Sequence, residues 1–230
     1  MTTRSAGEPS AELLSWDSEF WGVRIARAPT LMDDWALDNT TGCMWILIPA
    51  HDQADIHRAE EGGARVMDIR VKLSRDPMSF SSRDRGIYAA AKTDTEWMVV
   101  IAREAFRGLT RFYTDSRFPD ERCDDLYENW VRDSMDGWAA KVFVAPGAGF
   151  ITMHSNEDEA SIGLIAVADG ARGEKIGTRL VYTAMEWASV GHNQITVVTQ
   201  GCNTAALRTF QGCGFRTCQT DIWLHKWFYD

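Results

Sequence analysis

The chain has 230 residues, of which 45% are apolar and 25% are charged, and its formal net charge is −9. This length suits one large domain or one and a half, and the balance is that of a globular protein that needs no metal or disulfide to hold its core. The acidic charge argues against nucleic acid as the main partner, because phosphate binding needs a basic face. An anionic ligand would instead need a local group of positive charges.

The sequence shows no pattern typical of a targeting signal or a membrane span. The start, MTTRSAGEPSAELL, lacks the apolar stretch of a signal peptide, and no later run approaches the length of a membrane span. The five cysteines are odd in number, irregularly spaced and without a CxxC pair, a pattern typical of reduced thiols and not of a metal site. We therefore expect a cytoplasmic protein with no metal and no membrane partner.

The first third of the chain predicts strands around one short helix. The alternating or compact apolar patterns of strands occur at 21–28, 44–50 and 68–74. Residues 52–61 predict a helix that Asp52 caps and that the glycines at 62 and 63 end. Residues 76–95 are polar and lack a period, so we expect a linker there.

The rest of the chain alternates between predicted helices and strands. Residues 95–106 fit either a strand or a helix, and we favour a strand followed by the start of a helix. Residues 119–135 predict a helix. Strand patterns follow at 141–146, 149–155, 160–168, 194–201 and 215–227. Helices are predicted over 173–191 and over 203–214, the second capped by Asn203.

This order of elements predicts an α/β fold in which a mixed, twisted sheet is flanked by helices. A smaller αβ half-domain over residues 1–90 would precede the main domain over residues 91–230. The two parts share a weak echo, because GGARVMDIRVKL (62–73) resembles GCGFRTCQTDIWLHK (212–226). The echo is either a coincidence between two similar units or the trace of a partial duplication.

The segment LIAVADGARGEKIGTRL (164–180) carries the clearest chemistry. Here a strand ends at Val167, and a short loop with Gly173 and Gly177 opens a helix. The free N–H groups and the dipole of such a helix start attract an anion, and glycines let the backbone approach phosphate oxygens. Positive charge comes from Arg172, Lys175 and Arg179. Neither GxGxxG nor a Walker loop is present, so the segment alone fits a pyrophosphate site or a plain turn.

The spacing of this segment resembles the GCN5-related N-acetyltransferase (GNAT) superfamily, in which a strand ending in Val is followed by x-P-x-x-R-G-x-G-x-G. Val167, Arg172, Gly173 and Gly177 stand at the matching positions. Two positions depart from the pattern, since the usual Pro is Asp169 and the usual middle Gly is Lys175.

A second motif of that superfamily, N-x-x-A-x-x-x-Y-x-x-x-G-F, follows at the expected separation. Its positions are occupied by Asn203, Ala206, Phe210, Gly214 and Phe215. Two linked motifs are far more specific than one, and together the resemblance covers residues 141–227.

The resemblance implies that acetyl-CoA is the cofactor, that CoA is the product, and that a neutral amine attacks the acetyl carbonyl directly. Two parallel strands would splay apart after Val167 to admit the thioester. The implied cofactor-binding residues are Ile165, Ala166 and Val167 for the pantetheine arm, Arg172, Gly173, Glu174, Lys175, Ile176, Gly177 and Thr178 for the pyrophosphate, and Asn203, Ala206 and Phe210 beside the arm.

Residues 14–27 and 111–134 resemble a narrower group, the WecD-like acetyltransferases of nucleotide-linked amino sugars. This likeness implies that the acceptor is a small-molecule amine, a deoxyamino sugar on a nucleoside diphosphate. The implied substrate-binding residues are Arg111, Tyr113, Asp115 and Arg117. Guanidinium groups suit the diphosphate of such an acceptor.

The usual acid and base of the superfamily are missing. Phe210 stands where a Tyr protonates the leaving thiolate, and Ser161 stands where a Glu is frequent. His154, Tyr113 or water could take over proton transfer, and the chemistry could also proceed with little help because CoA thiolate is a fair leaving group. The third interpretation is a protein that binds CoA without this catalysis.

Three alternatives to the sugar acetyltransferase therefore stay open: another small amine, a longer acyl-CoA, or a non-catalytic acyl-CoA-binding module. A homodimer is a further expectation, since the final predicted strand carries Trp223, Trp227 and Phe228, an apolar edge that would need covering.

Overall fold

The computed structural model describes residues 11–32, 42–78 and 86–228, and these residues form a ten-stranded mixed sheet with helices on both faces. The strands are β1 Glu12–Leu13, β2 Arg24–Ala28, β3 Gly42–Pro49, β4 Arg65–Arg75, β5 Tyr88–Ala89, β6 Lys141–Ala145, β7 Gly149–Ser155, β8 Glu159–Val167, β9 Gln194–Gln200 and β10 Arg216–Phe228. The helices are α1 Ser15–Trp21, α2 Gln53–Glu61, α3 Thr95–Phe106, α4 Arg111–Thr114, α5 Asp120–Asp133, α6 Ile176–Ala188 and α7 Thr204–Gly212.

The two predicted helix caps are confirmed. The Asp52 side chain accepts the backbone N–H of Asp55 at 3.2 Å at the start of α2. The Asn203 side chain accepts the N–H of Ala206 at 3.1 Å at the start of α7. Each cap satisfies one of the N–H groups that a helix start leaves unpaired.

The prediction of a strand at the start of residues 95–106 is wrong, because α3 spans all of them. Its run of apolar residues suggested a strand, yet Met98, Val99, Ile101 and Ala102 are buried on one helical face against α5. Tertiary packing thus outweighs the β preference of the valines.

The predicted linker over residues 76–95 is wrong in part. It contains β5, which pairs with β6, and a short 3₁₀ turn at Lys92–Asp94 that leads into α3. Residues 79–85 of the predicted linker lie outside the described ranges.

The strand order is β1-β2-β3-β10-β4-β9-β8-β7-β6-β5. The final strand, β10, therefore lies inside the sheet, antiparallel to both β3 and β4. This corrects the basis of the expected homodimer, because Trp223 and Trp227 belong to an internal strand and pack in an aromatic cluster instead of forming an apolar edge. The homodimer itself stays a prediction.

The sheet also crosses the predicted domain boundary at residues 90 and 91. The strand β4 comes from the first part of the chain but lies between β10 and β9, which come from the last part. The division into 1–90 and 91–230 stays a prediction, and the hydrogen-bonded sheet is continuous over both parts.

The helices divide between the two faces of the sheet. On one face α2, α6 and α7 cover a core that includes the fully buried Leu73, Leu180 and Phe210. On the other face α1, α3, α4 and α5 cover two clusters, one with Phe150 and Leu164 and one rich in aromatic rings. We call these the cofactor face and the acceptor face, after the ligands that the resemblance implies for them.

A buried ion pair joins the early strand β4 to the last strand β10. Arg70 Nη1 lies 2.7 Å from Asp221 Oδ2, and the Asp221 side chain is 1% exposed. Asp221 also accepts a hydrogen bond from the Gln219 amide at 2.8 Å. A carboxylate buried to this extent depends on its partners, because losing one leaves an uncompensated charge in the interior.

We expect Arg70→Met to lower the free energy of unfolding by about 3 kcal/mol, because it leaves the buried Asp221 carboxylate without its positively charged partner. The matched control is Arg27→Met, which removes an equally short ion pair, 2.7 Å to Glu12, whose side chains are 53% and 61% exposed. The control should cost less than about 1 kcal/mol. Urea unfolding of both variants measures the difference, and equal losses would contradict the role given to Arg70.

Candidate functional site

The sheet opens between the parallel strands β8 and β9. Their pairing runs from Glu159 with Gln194 to Ile162 with Val197, while β8 continues to Val167. The predicted opening after Val167 is therefore misplaced by five residues. The physical reason is a register shift between β7 and β8 beside Ile162, since such a bulge bends a strand away from its neighbour.

This opening leaves part of the β8 backbone without a strand partner on the side of β9. The segment concerned is 163–167, which contains the predicted pantetheine contacts Ile165, Ala166 and Val167. Unpaired backbone N–H and C=O groups along an extended strand are the groups that an amide-bearing arm can bind.

The predicted pyrophosphate loop follows directly at the end of β8. A 3₁₀ turn covers Asp169–Ala171, and α6 begins at Ile176. Gly173 has φ +87°, and Lys175 has φ +60° and ψ 18°. Lys175 thus adopts a left-handed backbone conformation, which is easy for the glycine that the family usually has at this position. The loop therefore keeps its shape, at some cost in backbone strain at Lys175.

Open space lies around this loop. A Cβ added at Gly173 would meet no atom within 4 Å, and one at Gly177 would meet only ordinary contacts at 3.7 and 3.8 Å. Packing within the protein therefore does not require Gly177, which is consistent with a ligand approaching the backbone there. Glu174 and Lys175 are exposed beside it, and Thr178 is half-buried.

Asp169 changes the charge of the loop. Its carboxylate lies 2.7 Å from Arg172 Nη2, and both side chains are exposed. An anion at this helix start would compete with Asp169 for the Arg172 guanidinium. The departure from the usual Pro therefore weakens one predicted phosphate contact without removing it.

The second motif has mainly structural partners. Asn203 uses its side-chain oxygen to cap α7, and the N–H that it binds belongs to Ala206. Phe210 is 1% exposed and packs against Phe215 with ring centroids 5.7 Å apart. The cofactor contacts assigned to these three residues stay predictions, and Phe210 would need to be uncovered to make one.

On the acceptor face, α3 contacts β8 and α4 contacts β4, and we call the surface of β9 between them the acceptor cleft. Val198 is 41% exposed although β9 lies in the middle of the sheet, so no described helix covers this face of the strand at that point. Ser161 lies beside Thr196 on the neighbouring strand, and Lys72 lies beside Val198 on the other.

Glu159 is a residue of this cleft that the sequence analysis missed. Its carboxylate accepts the Thr196 hydroxyl at 3.0 Å and lies 3.5 Å from Lys72 Nζ. It precedes Ser161 by two residues, so strand alternation alone puts both side chains on one face and could have indicated it.

His154 lies at the start of the opening. Its ring is so close to Gly163 that a Cβ there would fall 2.5 Å from Nε2, and it packs edge-on against Trp138 at 4.7 Å. Gly163 is the first residue of β8 beyond the pairing with β9. Partial burial lowers the pKa of His154 below its usual 6.5, so the imidazole is neutral and able to accept a proton at pH 7.

Tyr113 has a different environment. Its hydroxyl donates to Asp124 Oδ1 at 2.8 Å, and Arg107 lies 3.3 Å from the other oxygen of that carboxylate. Burial and this hydrogen bond raise the pKa of Tyr113 well above its usual value. The proton of Tyr113 is thus engaged and held, which argues against a role as a general acid.

Asp115 is a buried acceptor inside the aromatic cluster. Its Oδ2 accepts from His225 Nδ1 at 2.7 Å and from Trp227 Nε1 at 2.9 Å. Burial alone would raise the pKa of Asp115, but these hydrogen bonds outweigh it and the pKa is lowered. With 5% exposure, Asp115 has little surface left for the substrate contact that the resemblance implied, which stays a prediction.

Cys43, Asp115 and His225 place one sulfur, one oxygen and one nitrogen within 4.8 Å of one another. A metal at this point would have to displace two hydrogen bonds from Asp115. The positive charge of Arg111 acts to lower the pKa of both Cys43 and His225 and would repel a metal cation bound between them. The cluster is better explained as a hydrogen-bonded pair of Asp115 and His225 beside a buried thiol.

Arg111 has no acidic partner in contact with it among the described residues. Its guanidinium carbon lies 4.5 Å from the centre of Trp45, 4.2 Å from Phe112 and 4.2 Å from Trp223. Its Nε is buried and has no hydrogen-bond partner there. Burial lowers the pKa of Arg111 to about 10, so it stays charged at neutral pH.

The last predicted substrate residue, Arg117, is exposed, and its guanidinium lies 5.1 Å from the ring centre of Trp227. The structure therefore gathers Arg111, Asp115 and Arg117 around one aromatic cluster, with Asp115 inside it and both arginines stacked on its rings.

Residues 103–215 match the model of the acetyltransferase (GNAT) family. This segment is a GNAT family domain. It holds α4, α5, the opening between β8 and β9, the loop before α6 and all of α7. The GNAT match makes the chain an acyl-CoA-dependent N-acetyltransferase with a mixed α/β fold.

Two relatives extend the likeness beyond the GNAT segment. The dTDP-fucosamine acetyltransferase of Escherichia coli O6:H1 is 28% identical in an alignment that covers 94% of this chain and 98% of that protein. The spore coat polysaccharide biosynthesis protein SpsD of Bacillus subtilis is 25% identical over 196 residues, 81% of this chain and 67% of that one.

A solved structure shares the fold. The GCN5-related N-acetyltransferase of Sphaerobacter thermophilus superposes with a TM-score of 0.61 at 14% identity, covering 96% of this chain and 76% of the other. In the described ranges, no helix of this GNAT protein is long and apolar enough to span a bilayer.

The strained Lys175 gives a direct test of the loop. We expect Lys175→Gly to be about 1 kcal/mol more stable to unfolding than Lys175→Ala, because only glycine adopts a left-handed backbone without a Cβ penalty. Both variants lose the same charge, so their difference isolates the backbone. Denaturant unfolding measures it, and equal stability would show that residue 175 is not left-handed.

Proposed function

We propose that this GNAT protein transfers the acetyl group of acetyl-CoA to the amino group of a deoxyamino sugar linked to a nucleoside diphosphate. The observation that carries the proposal is the likeness to dTDP-fucosamine acetyltransferase, which extends over 94% of this chain and 98% of the relative. The likeness thus includes the strands outside the GNAT segment, which form one wall of the acceptor cleft.

The donor half of the proposal is supported by the opening in the sheet. The free edge of β8 over 163–167 would bind the pantetheine arm, and the loop before α6 would bind the pyrophosphate. The left-handed Lys175 and the space around Gly173 fit a phosphate close to the backbone. Acetyl-CoA would then enter from the cofactor face and present its thioester to the acceptor face.

In the proposed reaction the amine nitrogen forms a bond to the acetyl carbon, and the bond from that carbon to sulfur breaks. One amine proton leaves, and the thiolate of CoA gains one. His154 is the residue best placed to accept the amine proton, because its neutral ring lies against Gly163 at the point where the strands part.

The thiolate has no obvious acid among these side chains. Phe210 lacks a hydroxyl, and the Tyr113 proton is engaged by Asp124. The proton that His154 takes, or one from solvent, would therefore reach sulfur, which is acceptable because a thiolate is a fair leaving group.

We also propose a cytoplasmic location, supported by the absence of a disulfide among the described cysteines. The described thiols are Cys43, Cys123, Cys202, Cys213 and Cys218, and all five are free. Their odd number and lack of CxxC spacing had the same implication.

Thiol release from acetyl-CoA with a panel of TDP-linked 3-amino and 4-amino sugars tests the function directly. We expect release with one of these sugars and none with the matching free amino sugars or simple amines. Release with free amines alone would contradict the sugar acceptor. If acetyl-CoA raises the melting temperature but no amine causes thiol release, the protein binds acyl-CoA without catalysing transfer, and the proposed activity is refuted.

We expect His154→Gln to lower kcat about 100-fold, because the base is lost while the shape of the ring site is kept. In the wild type, kcat should fall at acidic pH through a limb below pH 6.5, since protonation of His154 removes the base. The variant should lack this limb and keep any limb due to the acceptor amine. An unchanged acidic limb in His154→Gln would rule His154 out.

A further inference from the structure

We propose that Arg111, held in its cage of Trp45, Phe112 and Trp223, is the anchor for the phosphate group of an elongated acceptor. The inference rests on the proposed function, in which the acceptor carries a diphosphate. It adds which residue, at which end of the cleft, binds that diphosphate. The first support is the surroundings of the guanidinium, which three rings contact at 4.2–4.5 Å.

The second support is the lack of an acidic contact. Several other arginines of this acidic chain have carboxylates in contact, as Arg70 has Asp221 and Arg132 has Glu96, each at 2.7 Å. Arg111 has none among the described residues, and its buried Nε lacks any hydrogen-bond partner there. A largely buried cation without a carboxylate in contact is costly, so the site favours an anion that binds from outside.

The third support is a surplus of hydrogen-bond donors around Arg111. Trp21 Nε1 and Trp45 Nε1 are also buried without partners, and both rings belong to the same cluster as Phe112. Among the described residues of this cluster, the unpaired buried acceptor is His225 Nε2, because His225 Nδ1 donates to Asp115. Such a surplus favours a ligand made of acceptors, as phosphate oxygens are.

Two carboxylates interact electrostatically with Arg111 without being in contact with it. Asp17 and Asp68 face it from α1 and β4, and both have raised pKa values because of burial, Asp68 to about 6. They offset part of the arginine charge when the site is empty. They would also repel a bound phosphate, so removing Asp68 should strengthen anion binding.

The position of Arg111 sets the shape of the acceptor. Trp223 belongs to β10, which is three strand positions from β8, where the thioester would lie. Strands are spaced about 4.8 Å apart, so the two ends of the cleft are separated by at least about 14 Å. An acceptor that reaches both ends must be elongated, with its amine at β8 and its anionic group at Arg111. A nucleotide sugar has this form, and a small free amine does not.

The test is calorimetric titration of the full chain with TDP, with pyrophosphate and with thymidine, in the absence of acetyl-CoA. Arg111→Lys should weaken TDP and pyrophosphate binding at least about tenfold, because a lysine neither stacks nor forms the guanidinium fork. The matched control is Arg122→Lys, since Arg122 also stacks on a ring, Phe20 at 4.4 Å, but is 46% exposed and near Asp125. The control should bind like the wild type.

Equal loss in both variants, or no loss in Arg111→Lys, would overturn the proposal, as would an equal loss of thymidine binding. If Arg111→Lys does not fold, Asp68→Asn decides, because it should bind TDP at least about threefold more tightly than the wild type at pH 7.5. Unchanged or weaker binding would then overturn the anchor. These outcomes do not depend on acetyl transfer, so a failure of the proposed function would show separately in the thiol-release panel.

Discussion

The antiparallel pairing of β4 with β10 is the contact on which the whole sheet depends. It joins distant parts of the chain, since Arg70 and Asp221 are 151 residues apart, and Ile69 lies opposite Ile222 at its centre. Strands β1 to β3 attach to the sheet only through β10, and strands β5 to β9 only through β4. Without this pair, the sheet would divide into two parts, and the acceptor cleft would lose the wall that carries Trp223.

The strand order around this pair is symmetric. Reading outward from β4 and β10, each half has a strand antiparallel to the centre, β9 or β3, and then a parallel neighbour, β8 or β2. A side-chain-capped helix follows each of these antiparallel strands in the chain, α7 after β9 and α2 after β3. The Asp-Ile pairs of the sequence echo, at 68–69 and 221–222, lie side by side at the centre, which favours duplication over coincidence.

The two halves differ where the chemistry lies. The parallel pair of β2 and β3 holds along the whole of β2, to Ala28 opposite Ile46. The pair of β8 and β9 ends at Ile162, five residues before β8 does. Among the described residues, β2 therefore lacks the free stretch that β8 offers to a cofactor, and the loop with Gly173 and Gly177 follows β8.

The sequence predicts this second half well because its signals are local. The cap Asn203, the end of β8 at Val167 and the glycine-rich loop each depend on a few neighbouring residues, as does the cap Asp52 in the first half. By contrast, nothing near Asp115 in the sequence indicates that its carboxylate binds His225, which is 110 residues away. The position of the opening failed for a similar reason, because a bulge between two strands is a property of the pair.

The lack of a carboxylate in contact with Arg111 among the described residues also depends on tertiary packing. Its cage combines a ring from β3, one from α4 and one from β10, which only the folded sheet brings together. A pattern of Arg followed by aromatic residues could indicate stacking but not the lack of a carboxylate in contact. The acceptor end of the cleft was therefore less predictable than the loop before α6.

The proposed anion sites lie on opposite faces of one sheet in a chain of net charge −9. The loop before α6 belongs to the cofactor face and Arg111 to the acceptor face. An overall acidic surface repels both CoA and a nucleotide sugar, so each must be held by a local cation. Placing the two cations on opposite faces keeps the phosphates of one substrate away from the site of the other. The gap between β8 and β9 is then the place where the uncharged ends, thioester and amine, can meet.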